Sequence, residues 1–374
     1  MDFGIMFFSS GGRNRDDKYR LLLDAARFAD RHGFTCVWTP ERHFHEFGGL
    51  FPNPAVLGAA LAVATQSLQV RAGSLISPLH QAIRIAEEWS VVDNLSGGRV
   101  AVSFGSGWNV DDFLFFPERY ASRQAVMYEQ IETVRLLWRG GELVQPNSFG
   151  KPVSVRLYPH PVQPELPIWV TSSGNVETFV SAGVYRANVL THLIGQDLPT
   201  LAGKIERYRQ SLRAHHGEDV AGKVSLMLHT FLGRDLEQVR AQVREPFREY
   251  LRSAISLERL AAEGGGAISG GHKVEAHEIP PDALESLLDL AFERYIRNGS
   301  LIGTPASCEP LVLQLMDLGV DEIACLIDFI DDPIAVLESL ICLDELRAAF
   351  GTREVHATGA PFLEPFLEDL EGGV

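Results

Sequence analysis

Residues 34–49 read FTCVWTPERHFHEFGG, an apolar run that breaks abruptly into ionisable and aromatic side chains. Thr35 to Trp38 has the β-branched and aromatic composition of a short buried strand. The segment after Trp38 has the wrong chemistry for a plain turn, which draws on Gly, Pro, Asn or Asp for its backbone geometry. Instead Glu41, Arg42, His43, His45 and Glu46 are interleaved with Phe44 and Phe47. That mixture suits a lined pocket. In a barrel of alternating strands and helices, the loops leaving the C-terminal ends of the strands build such a pocket. An isolated His-x-His is more often a polar surface loop satisfied by neighbouring carboxylates, so the weight falls on the rest of the chain.

Moving outward, apolar runs of the same kind recur at 3–8, 34–38, 68–76, 99–105, 167–172, 187–191, 224–232 and 322–329. Most are continuous rather than alternating, as strands covered on both faces should be. Helical patterns lie between them with readable ends. Lys18 to His32 carries Leu22, Ala25, Ala26 and Ala29 on one face and stops at Gly33. Asn53-Pro54 starts the next helix, and Gly97-Gly98 and Gly140-Gly141 close helices from about His80 to Leu95 and from Ser122 to Arg139. Strands alternating with helices predict an α/β chain with a parallel sheet. Eight of each favour a closed (β/α)8 TIM-type barrel over an open nucleotide-binding sheet, because Ser9, Ser10, Gly11 and Gly12 lack the Gly-x-Gly-x-x-Gly spacing. The barrel is expected to occupy 1–350 as one domain, with 351–374 as a tail. A long insertion from Leu232 to Glu322 precedes the last strand and holds two helical patterns and EGGGAISGGHKVEAHEIPP, 263–281. Glycine at that density suits a flexible connection or a lid.

A hydrophobic content of 45% against 22% charged residues is that of an ordinary soluble protein with a large core. The net charge of -16, from 33 basic and 49 acidic residues, argues against nucleic acid or an anionic membrane as partner. Cys36, Cys308, Cys325 and Cys342 form no ligand pattern and read as reduced core residues. Met1 to Ser10 has no signal-peptide character and no apolar run is long enough to span a bilayer, so a cytoplasmic protein is expected. No metal site is expected either, since the sequence has no His-Glu-x-x-His and no carboxylate–histidine facial set.

Three further stretches join the opening one. AGSLISP (72–78) puts Gly73 and Ser74 at a strand end. VSFGSGWNVDDF (102–113) has Gly105, Ser106 and Gly107, which let backbone approach a planar ligand, followed by Trp108 and Asn109. PIWVTSSGNVETFVSAG (167–183) reads strand, turn, helix. Its Ser172, Ser173, Gly174 and Asn175 sit where free N–H groups at a helix start hold phosphate. Asn175 is equally well an N-cap.

With ERHF at 41–44, GSGWN at 105–109, GNVETF at 174–179 and ANVLTHLIGQ at 187–196, the chain resembles the luciferase-like flavin-dependent monooxygenases over nearly its whole length. It is most similar to the branch found in natural-product biosynthesis. The resemblance implies a bacterial-luciferase type of barrel, with Gly73 and Ser74 packed on the flavin at a strand end whose luciferase counterpart holds a non-prolyl cis peptide. It implies FMN used as FMNH2, supplied by a separate flavin reductase. One oxygen atom of O2 would enter an organic substrate through a flavin C4a-hydroperoxide. The substrate would be a small molecule, free or tethered to a carrier protein, of polyketide or nonribosomal peptide type. It further implies a homodimer and a mobile loop over the site at about 263–281.

Two positions differ from luciferase itself. Luciferase reads Glu-His-His-Phe at this loop, with its catalytic histidine first; here Arg42 takes that place and His43 the second. Where luciferase has a cysteine and then an arginine near the flavin, this chain has Gly105 and Ser106, so the phosphate loses a side-chain cation. His43 is expected to manage the proton, with Arg42 and Glu41 holding its orientation. His80, His192 and His229 are further candidates; His192 ends a strand and suits the pocket, whereas His229 lies mid-strand and is equally a core residue. Relatives on the same barrel that use deazaflavin F420, or that bind flavin without catalysis, are the alternatives. Arg240, Arg244, Arg248 and Arg252 form one stripe if their helix passes Pro246. The stripe is expected to be a salt-bridged face, with docking of an acidic carrier protein as the functional reading.

Overall fold

Each of the eight apolar runs forms a parallel strand, and together they close into a ring. The computed structural model describes residues 1–8, 17–172, 174–193, 196–263 and 281–351. In chain order its strands are β1 (Asp2–Met6), β2 (Cys36–Thr39), β3 (Gln69–Ile76), β4 (Val100–Gly105), β5 (Leu143–Pro146), β6 (Pro152–Val155), β7 (Ile168–Ser172), β8 (Asn188–His192), β9 (Val224–Leu232), β10 (Leu301–Gly303) and β11 (Glu322–Leu326). The ring runs β1-β2-β3-β4-β7-β8-β9-β11 and closes where β1 pairs with β11, Asp2 opposite Glu322. Every position of β2, β4, β9 and β11 is buried, which is why these runs show no alternation.

The helices are α1 (Arg20–Arg31), α2 (Pro54–Ala64), α3 (Ala82–Ser96), α4 (Arg123–Trp138), α5 (Val176–Val184), α6 (Leu198–His216), α7 (Leu236–Glu263), α8 (Pro281–Asn298), α9 (Pro305–Asp317) and α10 (Pro333–Phe350). Their ends follow local chemistry. Asn53 caps α2 by accepting from Ala55 N and Val56 N at 2.9 and 3.0 Å, with Pro54 in the first turn. Gly97 ends α3 in the left-handed region at φ 68°. A short 3-10 turn, Ser77–Leu79, precedes α3, so the helix begins two residues later than its sequence pattern suggests.

Toward the N-terminal ends of the strands the barrel is filled by a buried ion pair. Arg71 Nη1 donates to both Glu322 oxygens, at 2.9 and 3.0 Å. Its guanidinium packs against the rings of both Trp38 and Trp169, 4.8 and 4.5 Å from their centroids, and the two rings meet each other edge to face. All four cysteines are buried and free.

The structure departs from the sequence pattern in three places. Leu143 to Val155 forms an antiparallel hairpin, β5 with β6, whose largely exposed residues give no burial pattern. The insertion before β11 holds α7, α8 and α9 rather than two helices, and β10 pairs with β9 outside the ring. Pro246 lies inside α7 without ending it. The stripe on α7 faces α8: Arg240 pairs with Glu293 and Arg244 with Asp289, each at 2.9 Å, while Arg248 and Arg252 share Glu285. These arginines are therefore a salt-bridged helix contact rather than a carrier-docking face, because α8 already meets their charge. Ser9 to Gly12, Ser173, the glycine-rich stretch at 264–280 and the tail at 352–374 lie outside the described residues.

Candidate active site

The loop after β2 owes its path to two features. Arg42 N donates to Phe51 O at 2.9 Å, closing the excursion, and Gly48 turns it at φ 79°. A Cβ on Gly48 would come 2.6 Å from Arg42 Cγ, so glycine leaves room for the arginine stem. Arg42 lays its guanidinium over Phe8 at 4.3 Å and over Phe47 at 5.4 Å. His43 itself meets Glu41, Phe44 and Phe115.

Glu41 is the hub. Its side chain is fully buried, and Oε1 accepts from His43 Nε2 at 2.9 Å and from His80 Nε2 at 2.7 Å. Oε2 accepts from Ile76 N at 2.7 Å. Burial opposes the charge of Glu41, but the bonds from the two histidines outweigh it and hold the carboxyl below its ordinary value. An ionised carboxylate only accepts, so both imidazoles carry a proton on Nε2. On His80 burial acts to lower the pKa, and the bond from Glu41 overrides it and raises it. The His43 ring packs edge-on to Phe115 at 5.2 Å and beside Phe44 at 5.5 Å.

A cavity of about 230 Å³ opens at the C-terminal ends of the strands and brings together most of the sequence candidates, though not Ser172, Gly174 or Asn175. Glu41, Arg42, His43, Gly73, Ser74, Gly105, Ser106, Trp108, Asn109 and His192 all line it, over a floor of Met6, Ile76, Leu190 and Met227. The bond between Gly73 and Ser74 is a non-prolyl cis peptide. Ser74 Oγ and Ser103 Oγ lie 2.6 and 2.7 Å from Thr171 Oγ1, a hydroxyl chain below the cavity. Gly107, at φ 77°, is required by packing: a Cβ would meet Ile76 at 2.8 Å and Phe113 at 3.0 Å. A larger cavity of about 560 Å³ lies on the flank, between Leu193 to Pro199 and helices α8 and α9. Its wall includes Leu287, Leu290 and Arg294 and carries no convergent set of histidines, so the chemistry points to the smaller one.

Ser172, Gly174 and Asn175 stand at the start of α5. Asn175 Oδ1 accepts from Glu177 N at 3.0 Å, so its side chain acts as the helix cap. Gly174 has φ 115°, and a Cβ there would come 3.4 Å from Lys204 Nζ. Lys204 belongs to α6 and is held by Gln196 Oε1 at 2.8 Å. No local pattern marks it, because only packing of α6 brings it to the start of α5. Asp112 likewise carries no signal of its own in the sequence, although it lies within VSFGSGWNVDDF. It lines the cavity, accepts from Asn109 Nδ2 at 2.8 Å, and burial pushes its carboxyl up to about 6 against the pull of His43 and Arg42.

His229 is a core residue of an unusual kind. It is 3% exposed, ringed by Phe247, Tyr250, Tyr295 and Phe329, and its Nε2 has no hydrogen-bond partner among the described residues. Burial lowers its pKa to about 3, with His192 acting in the same direction.

An acid–base cluster set at the rim of an apolar cavity on a closed barrel can be compared with known proteins. Residues 1–322 match the family described as luciferase-like monooxygenase. The chain belongs to that family. The oxygenase component of a flavin-dependent trigonelline monooxygenase from Acinetobacter baylyi is 25% identical over 364 residues, covering 91% of this chain and 93% of that protein. The oxygenating constituent of 3,6-diketocamphane monooxygenase from Pseudomonas putida, solved with FMN, superposes with a TM-score of 0.72 at 18% identity, covering 93% of this chain and 98% of that one. An F420-dependent secondary alcohol dehydrogenase superposes with a TM-score of 0.68 at 16% identity, covering 94% and 99%. This luciferase-like chain thus shares its barrel with proteins of two cofactor types. Among its described residues no helix is long and apolar enough to cross a membrane.

Proposed function

We propose that this luciferase-like protein is the oxygenase of a two-component system, taking FMNH2 from a separate flavin reductase and inserting one oxygen atom of O2 into a small organic substrate. The observation that carries the reading is Glu41, buried and ionised, presenting His43 at the rim of an apolar cavity. The cavity suits a flavin ring: Ile76, Leu190 and Met227 give it apolar surface, and Ser74, Ser106, Asn109 and Thr171 put hydrogen-bonding groups in its wall. The phosphate is assigned to the start of α5, with Gly174 giving backbone access and Lys204 supplying the cation that Ser106 lacks. Reduced flavin, when bound, activates dioxygen without a metal.

The chain's own residues then have separate tasks. His43, with Nε2 fixed on Glu41, has Nδ1 as the atom that takes or gives a proton. Trp108, Met227 and Tyr250 exclude water from the cavity. Natural-product intermediates are the substrate class favoured by the sequence resemblance.

Anaerobic titration followed by exposure to 18O2 tests the proposal. Reduced FMN should bind more tightly than oxidised FMN, as an oxygenase that receives FMNH2 from a reductase requires, and one labelled oxygen should appear in the product. Preference for F420, or equal affinity for both redox forms of FMN, would overturn it.

A further inference from the structure

His80 sits outside the strand-end loop that carries His43, yet both imidazoles meet on one oxygen atom. Glu41 Oε1 is 2.9 Å from His43 Nε2 and 2.7 Å from His80 Nε2. The carboxylate cannot swing to separate them, because Ile76 N holds Oε2 at 2.7 Å. Nor can His80 drift away. Its carbonyl receives Arg119 Nη1 at 2.6 Å and Gln130 Nε2 at 2.8 Å, and its own N donates to Ser77 O at 2.9 Å. A carboxylate needed only to satisfy one loop histidine would not require a second imidazole delivered from another βα loop.

We propose that His80 is a positioning residue that sets the proton affinity of His43 through the carboxylate they share. The inference rests on the reading of His43 as the proton-managing group. One anion offsets one added charge well and two poorly, so a proton on His80 makes the next proton on His43 harder to add. The pair then titrates in two coupled steps. Other charged groups face the cluster from neighbouring elements. Asp112 and Arg42 act near His43, of opposite sign to each other, and Glu88 of α3 and Arg119 act on His80, likewise opposed. Among the described residues Glu41 is the one group hydrogen-bonded to both rings.

Imidazole NMR of the flavin-free protein, labelled at histidine, tests the coupling without turnover. In the wild type the His43 resonance should titrate in two steps. In His80→Gln, which keeps an N–H donor and removes the charge, it should titrate in one step, with a midpoint higher by about one pH unit. An unmoved His43 curve in folded His80→Gln would overturn the proposal. If that variant does not fold, the wild type alone decides, since a single uncoupled His43 step overturns it equally. The acid limb of the pH–rate profile should move with the midpoint. A moved midpoint with an unmoved profile would sustain the coupling and remove His43 from proton transfer.

Discussion

His43→Ala should lower oxygenated product about 100-fold, the scale of one acid–base group, while flavin affinity measured by fluorescence stays within a factor of about two. Wild-type yield from that variant would make the loop structural. Lys204→Met separates phosphate from ring: FMN binding should weaken about tenfold, as expected for loss of one charge-assisted contact, and riboflavin binding should not change. Asp112 gives a prediction with a definite sign. Its folded pKa of about 6 lies above the ordinary 3.8, so the folded state holds the proton more tightly than the unfolded chain. Its contribution to stability is full below the ordinary value and is lost as pH rises through 6. Asp112→Asn should therefore be more stable than the wild type at neutral pH by about 2 kcal/mol, with the gap closing in acid. Urea denaturation across the pH range measures it.

At the scale of elements, α7 and α8 form a charge zipper whose members differ in burial. Arg248 is the deepest, with 13% of its side chain exposed, and it contacts Glu285 and Asp289. Arg240 and Arg244 are more open and their pairs are worth little individually. Arg248→Ala should cost about 1 to 2 kcal/mol, more than a fully solvated pair and less than a fully buried one. Reversing Arg244 and Arg248 to Glu should loosen α8, read as faster amide exchange there, and reversing Asp289 and Glu285 to Arg in the same chain should restore protection. Failure of the second pair to rescue the first would mean that the helices are joined by their apolar faces alone, through Val243, Phe247, Leu288 and Phe292.

For the whole molecule, the Arg71–Glu322 pair ties β3 to β11 across the barrel interior. Removing one partner leaves an uncompensated buried charge beside two indole rings. Glu322→Gln should cost about 3 to 5 kcal/mol of global stability, measured by denaturant unfolding. Because the pair lies at the opposite end of the strands from the cavity, flavin affinity extrapolated to the folded population should be unchanged.

The eight strands were legible in the sequence because a parallel barrel buries both faces of each strand, which leaves short continuous apolar runs set between helical patterns. The cavity loops were legible for a related reason, since ERHFHEF and GSGWN put ionisable and aromatic residues where a turn would use small ones. The hairpin β5–β6 and the edge strand β10 were not, because their residues are too few or too exposed to carry a burial pattern. Partnership was beyond the sequence altogether. That Glu41 would hold both His43 and His80, that Lys204 would reach Gly174, and that the arginines of α7 would be met by α8 all depend on contacts between distant segments. Local composition determines which residues leave the core, while closure of the ring determines which of them meet.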